Sequence, residues 1–143
     1  MRKIRTLAAA LALATGLPAF AAPIAATLYM NAGCGCCEVY AKHLEENGFK
    51  VKLTNTNDLA GVKHQHDVPD ALAGCHTMLV GGRVVEGLVP ATYVHQLLKA
   101  PASLKGLSVP GMPVGAPGMP GIKKQPIQVL TLGTAATTVY ATF

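Results

Sequence analysis

The spacing of apolar positions changes period several times along the chain, and each period predicts an element. Ile24–Met30 is a short apolar run rich in β-formers and predicts a strand. Over residues 35–47, Cys37, Tyr40, Ala41 and Leu44 recur at i, i+3, i+4 and i+7. That spacing predicts a helix with Cys37 on its buried face, stopped at Gly48. Residues 49–53 alternate as a second strand. Asn57 or Asp58 suits the N-cap of a short helix to about His66, with Leu59 and Val62 inward. Residues 77–80 and 84–85 flank Gly81-Gly82 and predict a hairpin with a tight turn. Pro90 opens a last helix to about Lys99, with Val94, Leu97 and Leu98 toward the core.

Beyond that helix the pattern changes. Residues 107–121 are almost without charge, broken by proline and glycine, and hold two Gly-Met-Pro units at Met112 and Met119. Such a stretch sustains neither helix nor sheet for long, yet it is too apolar for a solvated linker. The expectation is an ordered loop laid over the domain. Residues 127–132 and 137–143 then predict a closing β-hairpin through Gly133-Thr134. The β-α-β-α-β-β-α order, with C-x-x-C at the first strand-to-helix turn, predicts an α/β, thioredoxin-like single domain. The Pro/Gly/Met-rich loop and the C-terminal β-hairpin extend it.

Charge and composition alter this picture only at the N-terminus. Residues 1–21 read as a cleaved secretory signal peptide: Arg2, Lys3 and Arg5, an apolar stretch over 7–17, then Ala19-Phe20-Ala21 as the cleavage site. The apolar stretch is too short for a membrane span, which needs about 20 residues. The domain is therefore expected over residues 22–143. The formal net charge is +5, and three of those positive residues sit in the leader. A basic nucleic-acid surface is not indicated.

The chemistry lies in four cysteines. Cys34-Gly35-Cys36-Cys37 follows the first strand directly, and Cys75 precedes the third in Gly74-Cys75-His76-Thr77. Both sites fall at strand ends, where the fold gathers side chains into one pocket. Cys34 and Cys37 have the spacing of reversible disulfides and soft-metal clamps. The third thiol, Cys36, favours a thiophilic metal such as Cu(I), zinc or an iron–sulfur cluster. Two plain structural disulfides fit poorly, because vicinal Cys36 and Cys37 bridge only with strain and a Cys34–Cys37 loop is very small. Cys34, at a helix N-terminus, should be the most acidic thiol. A thiol and an imidazole stand where a thioredoxin places its cis-proline, which argues against general disulfide exchange. His76 is the best non-sulfur candidate, as ligand or as hydrogen-bonding neighbour, although strand alternation would point it away from Cys75. His43 lies about 10 Å along the helix from Cys36, too far for a shared metal. His95 falls outside its helix's apolar stripe and should be solvated, and His64 and His66 read as surface. Met112 and Met119 are soft thioethers that either plug gaps or bind copper.

With these residues assembled, the chain resembles the CopG-type family of periplasmic proteins associated with bacterial copper resistance. The markers are Cys34-Gly35-Cys36-Cys37, the stretch from Val68-Pro69 to Cys75-His76-Thr77, Val85-Glu86-Gly87-Leu88-Val89-Pro90, and Val109-Pro110-Gly111-Met112-Pro113 through Gly118-Met119. The resemblance implies a thioredoxin-like fold whose cysteines bind copper, and a role in handling or interconverting Cu(I) and Cu(II). Leu88 departs from the histidine the family often carries in Glu-Gly-x-Val-Pro. The expected metal ligands are Cys34, Cys36, Cys37 and Cys75, with Cys34 and Cys37 as the redox dithiol. The expected partners are copper ions and other periplasmic copper-handling proteins. The alternative is a thiol–disulfide oxidoreductase acting on exported proteins through Cys34 and Cys37. A zinc module ranks third, because Cys75 lacks a paired knuckle.

Overall fold

The computed structural model describes residues 22–143, so the leader expected over residues 1–21 lies outside the described residues. Strand β1 (Ile24–Met30), helix α1 (Gly35–Glu45), β2 (Phe49–Asn55), α2 (Leu59–Gln65), β3 (His76–Val80), β4 (Arg83–Gly87) and α3 (Ala91–Lys99) follow in the order the periodicities predict. Three further strands complete the chain, β5 (Gly106–Val109), β6 (Gln128–Leu132) and β7 (Val139–Thr142). All seven strands form one sheet in the order β2-β1-β3-β4-β5-β6-β7. β1 runs parallel to β2 and β4 to β5, and the other neighbours are antiparallel. The architecture is a mixed α/β domain with one seven-stranded sheet and three helices.

Pleating divides the sheet into two faces. Register pairs Met30 with His76, Leu28 with Met78, Met78 with Val85 and Val85 with Leu107. The apolar members of these pairs lie in one buried cluster with Tyr40 and Leu44 of α1 and Val94 and Leu97 of α3, and His76 is buried beside them. The opposite face carries Thr77 paired with Glu86, and Glu86 with Ser108. Lys63 of α2 reaches Thr77 and Glu86 there. Helices α1 and α3 thus cover one face and α2 the other. Each fully buried leucine or methionine of the first face contributes about 1.5–3 kcal/mol.

Local rules account for the element ends. The Asp58 carboxylate accepts from the Gly61 N–H at 2.8 Å and caps α2. Gly81 and Gly82 both take positive φ, 54° and 72°, which the two-residue hairpin turn between β3 and β4 requires. Helix α1 buries Cys37, Tyr40, Ala41 and Leu44, the four residues its periodicity selects, and ends at Glu45.

Two expectations need correction. Residues 107–121 do not lack regular structure throughout: Gly106–Val109 is a fully buried strand between β4 and β6. Its four residues are too few to show a period, and both partners are remote in sequence. His95 is half-buried rather than freely solvated. Its ring packs 4.6 Å from the Phe49 ring, and Nε2 lies 2.9 Å from the Asn47 carbonyl oxygen.

Candidate metal centre

The first limb of the centre is local. Cys34 is the N-cap of α1, and its carbonyl accepts from the Cys37 N–H at 3.0 Å and the Glu38 N–H at 3.3 Å. This first turn folds the C-x-x-C back on itself, bringing the Cα atoms of Cys34 and Cys37 to 5.3 Å, and the two are joined as a disulfide. Cys36 is free, with its sulfur 3.4 Å from that of Cys34. Cys37 is fully buried against the hydrophobic cluster, while Cys34 and Cys36 are half-buried.

The second limb is tertiary. Cys75 sits in a bend just before β3, with its carbonyl 3.8 Å from the Cys37 sulfur. All four sulfurs lie within 4.8 Å of one another. Cys75 and His76 do not point apart. Because Cys75 is outside the strand, pleat alternation does not govern it, and its sulfur lies 3.3 Å from His76 Nδ1. The His76 ring is fully buried, 4.7 Å from the Tyr40 ring, and its Nε2 has no hydrogen-bond partner. Burial, reinforced by the Lys63 cation, lowers His76 to about 3, so the ring is neutral at physiological pH. Burial, a hydrogen bond to Cys36 and repulsion from it push the Cys75 thiol up to about 12, with Lys63 pulling the other way. The neutral ring's Nδ1 and the Cys75 sulfur are thus hydrogen-bonding neighbours, with the tautomer setting which of them donates.

Other groups frame the pair. Tyr40 donates its hydroxyl to the Val89 carbonyl at 2.7 Å, and burial above all raises its pKa. His43 is remote from the sulfurs in role: its Nε2 accepts from the Ala91 N–H at 3.2 Å and caps α3, and burial lowers its pKa against the pull of Glu46. Gly118, at φ 94°, comes so close to α1 that a Cβ would lie 2.6 Å from the Cys36 carbonyl oxygen. Its neighbour Met119 is partly buried against the cluster, whereas Met112 is exposed. Leu88 is fully buried in the hydrophobic cluster. Sequence reasoning missed Glu86 as a site residue. It is fully buried and accepts from Lys63 Nζ, from Thr77 Oγ1 at 2.7 Å and from the Gly74 N–H at 2.6 Å. The available signal was a lone carboxylate in an apolar strand, which demands buried partners.

The four sulfurs fit a soft metal. Bonds to sulfur of about 2.3 Å keep tetrahedral sulfurs roughly 3.8 Å apart, within the 4.8 Å spread seen here. Thiolates select thiophilic ions, and the metal-accepting form needs the Cys34–Cys37 disulfide reduced. Among the described residues, no helix is long and apolar enough to cross a membrane.

A family profile described as "Protein of unknown function, DUF411" matches residues 72–119, which span the second limb, β3 to β5 and the loop to Met119. A solved structure titled "Copper resistance protein copG- Form 2" is 42% identical, with a TM-score of 0.79, covering 85% of this chain and 98% of that one. Its Form 1 aligns at 41% identity with the same TM-score and coverage. No curated protein sequence matches.

Proposed function

The chain belongs to the CopG family of copper resistance proteins, and from that membership we propose that it is a periplasmic copper-handling protein. In this reading Cys34, Cys36, Cys37 and Cys75 bind Cu(I) as cargo, within a thioredoxin-like domain spanning residues 22–143. The observation that carries it is the convergence of four sulfurs within 4.8 Å from two distant segments. Supporting the thioredoxin-like plan are the β2-β1-β3-β4 order and the C-x-x-C at the β1-to-α1 turn.

Copper is also read as a redox substrate. Cys34 and Cys37 as a reduced dithiol give up two electrons and two protons and become the disulfide. Two Cu(II) ions take one electron each and become Cu(I), the softer ion, for which Cys36 and Cys75 remain as free thiol ligands. The disulfide form, with Cys36 and Cys75 free, is the oxidised member of that couple. Anaerobic titration of reduced protein with Cu(II) tests this reading. A Cu(I)-specific chelator should report one Cu(I) for each thiol lost, while the Cu(II) paramagnetic signal disappears. Cu(II) that stays paramagnetic in the presence of free thiols would remove the redox role and leave a carrier or store.

The same disulfide favours a second reading, a thiol–disulfide oxidoreductase for exported proteins. Turnover of a protein disulfide by the reduced chain without copper, lost in Cys34→Ser, would support it over the first.

A further inference from the structure

The Cys75 limb is a bend between an isolated bridge, Gly74 to Gly111, and the first residue of β3. The carboxylate of Glu86 lies beneath it, fully buried on β4, and one oxygen accepts from the N–H of Gly74, the residue immediately before Cys75, at 2.6 Å. The same oxygen accepts from Lys63 Nζ of α2, and the other accepts from Thr77 Oγ1 at 2.7 Å. Thr77 follows the limb as Gly74 precedes the cysteine, so the carboxylate clasps the chain on both sides of Cys75 and His76. Close packing leaves no slack: a Cβ on Gly74 would lie 2.6 Å from Gly87 Cα. A buried carboxylate costs several kcal/mol in desolvation and persists where it is paired and fully hydrogen-bonded. An apolar residue could fill this strand position but would leave the Gly74 N–H without its acceptor, so what the carboxylate adds is its hold on the limb.

We infer that Glu86, secured by Lys63 and Thr77, is a positioning residue that fixes the fourth sulfur against the three on α1. The inference deepens the copper-binding reading and rests on Cys75 being a ligand. Outer partners of this kind orient ligands without touching the metal.

The test variant is Lys63→Leu/Glu86→Leu, which exchanges the ion pair for apolar side chains. Such exchanges are often neutral or stabilising; this one abolishes the clasp and leaves the Gly74 N–H without its acceptor. With the Cys34–Cys37 disulfide intact and no metal, iodoacetamide should alkylate Cys75 several-fold faster than in the parent, read by mass spectrometry. Amide exchange of α1 should stay at the parent rate, which a general loosening would not allow. Cu(I) affinity of the reduced protein, by chelator competition, should fall about 10-fold or more. Glu86→Gln keeps an acceptor for the Gly74 N–H and should return both readouts toward the parent. Parent-level Cys75 alkylation in the folded double variant overturns the inference. Should the double variant not fold, Thr77→Val removes one bond with little change of shape. A faster Cys75 reaction there upholds the inference, and an unchanged one overturns it. A parent that binds no Cu(I) would sink the copper reading, yet the alkylation rates would still decide whether Glu86 positions Cys75.

Discussion

The two limbs of the cysteine centre are built by different means. Residues 34–37 occupy the first turn of α1, and the bonds that shape them run between the Cys34 carbonyl and the next N–H groups along the chain. Residues 72–76 are held by groups remote in sequence: the Glu86 carboxylate on the Gly74 N–H, the Gly111 N–H on the Ala73 carbonyl at 2.9 Å, and the Ser108 hydroxyl on the Leu72 carbonyl at 2.6 Å. The first limb forms wherever α1 forms. The second exists only once β3, β4 and β5 have paired, so a complete four-sulfur centre reports a completed sheet.

The largest expected effect separates ligand loss from fold loss. Cys75→Ser and Cys37→Ser should each weaken Cu(I) binding by more than the roughly 10–100-fold typical of an outer-partner change. Their stabilities should differ. Cys37 is fully buried in the hydrophobic cluster, so a hydroxyl there costs about 1–3 kcal/mol. Cys75 is half-buried at the rim, and its replacement should stay within about 1 kcal/mol. Chelator competition and urea unfolding of the reduced proteins measure both. Equal destabilisation would erase the distinction between the limbs, and undiminished copper binding by Cys75→Ser would break the convergence itself.

Acid should act on the second limb through His76. Its folded pKa, about 3, lies below the ordinary value of 6.5, so the unfolded chain binds a proton that the folded chain refuses. Stability is therefore fully present above pH 6.5 and is lost as pH falls toward 3, by up to about 1.4 kcal/mol per pH unit. His76→Phe keeps a ring against Tyr40 and removes the titration. The difference in unfolding free energy between parent and variant, followed from pH 7 to pH 4, isolates this contribution from that of the carboxylates. A difference that does not change with pH would show that His76 is free to charge in place.

What the sequence reveals follows the same division. The register of α1, with Cys37 inward, is legible because a helical period writes burial into spacing. The hairpin at Gly81-Gly82 is legible because its turn demands positive φ. The closeness of Cys75 to His76 was not, because alternation applies only inside a strand and Cys75 stands one residue outside it. Nor was β5, whose four residues are strand only because β4 and β6 flank them. Glu86 stood in plain view among the family markers, but its partners Lys63, Thr77 and Gly74 come from three other segments. A single carboxylate in an apolar strand announces that partners exist without saying which.

The smallest effects come from one methyl group placed in each limb. At Gly35 a Cβ meets nothing within 4 Å and the backbone is helical, so Gly35→Ala should stabilise by about 0.4–1 kcal/mol through the unfolded chain. At Gly74 the same methyl would stand 2.6 Å from Gly87 Cα and 3.3 Å from the Val109 carbonyl oxygen. These are backbone atoms of two sheet strands, so relief requires moving the limb, and Gly74→Ala should cost about 1–3 kcal/mol. The shift would also carry Cys75 away from α1. Gly74→Ala should therefore lose Cu(I) affinity as well as stability, whereas Gly35→Ala should keep its affinity, and chelator competition measures both. A Gly74→Ala protein that binds Cu(I) as tightly as the parent would mean that the second limb adapts, and that its sulfur is not held in place by the packing described above.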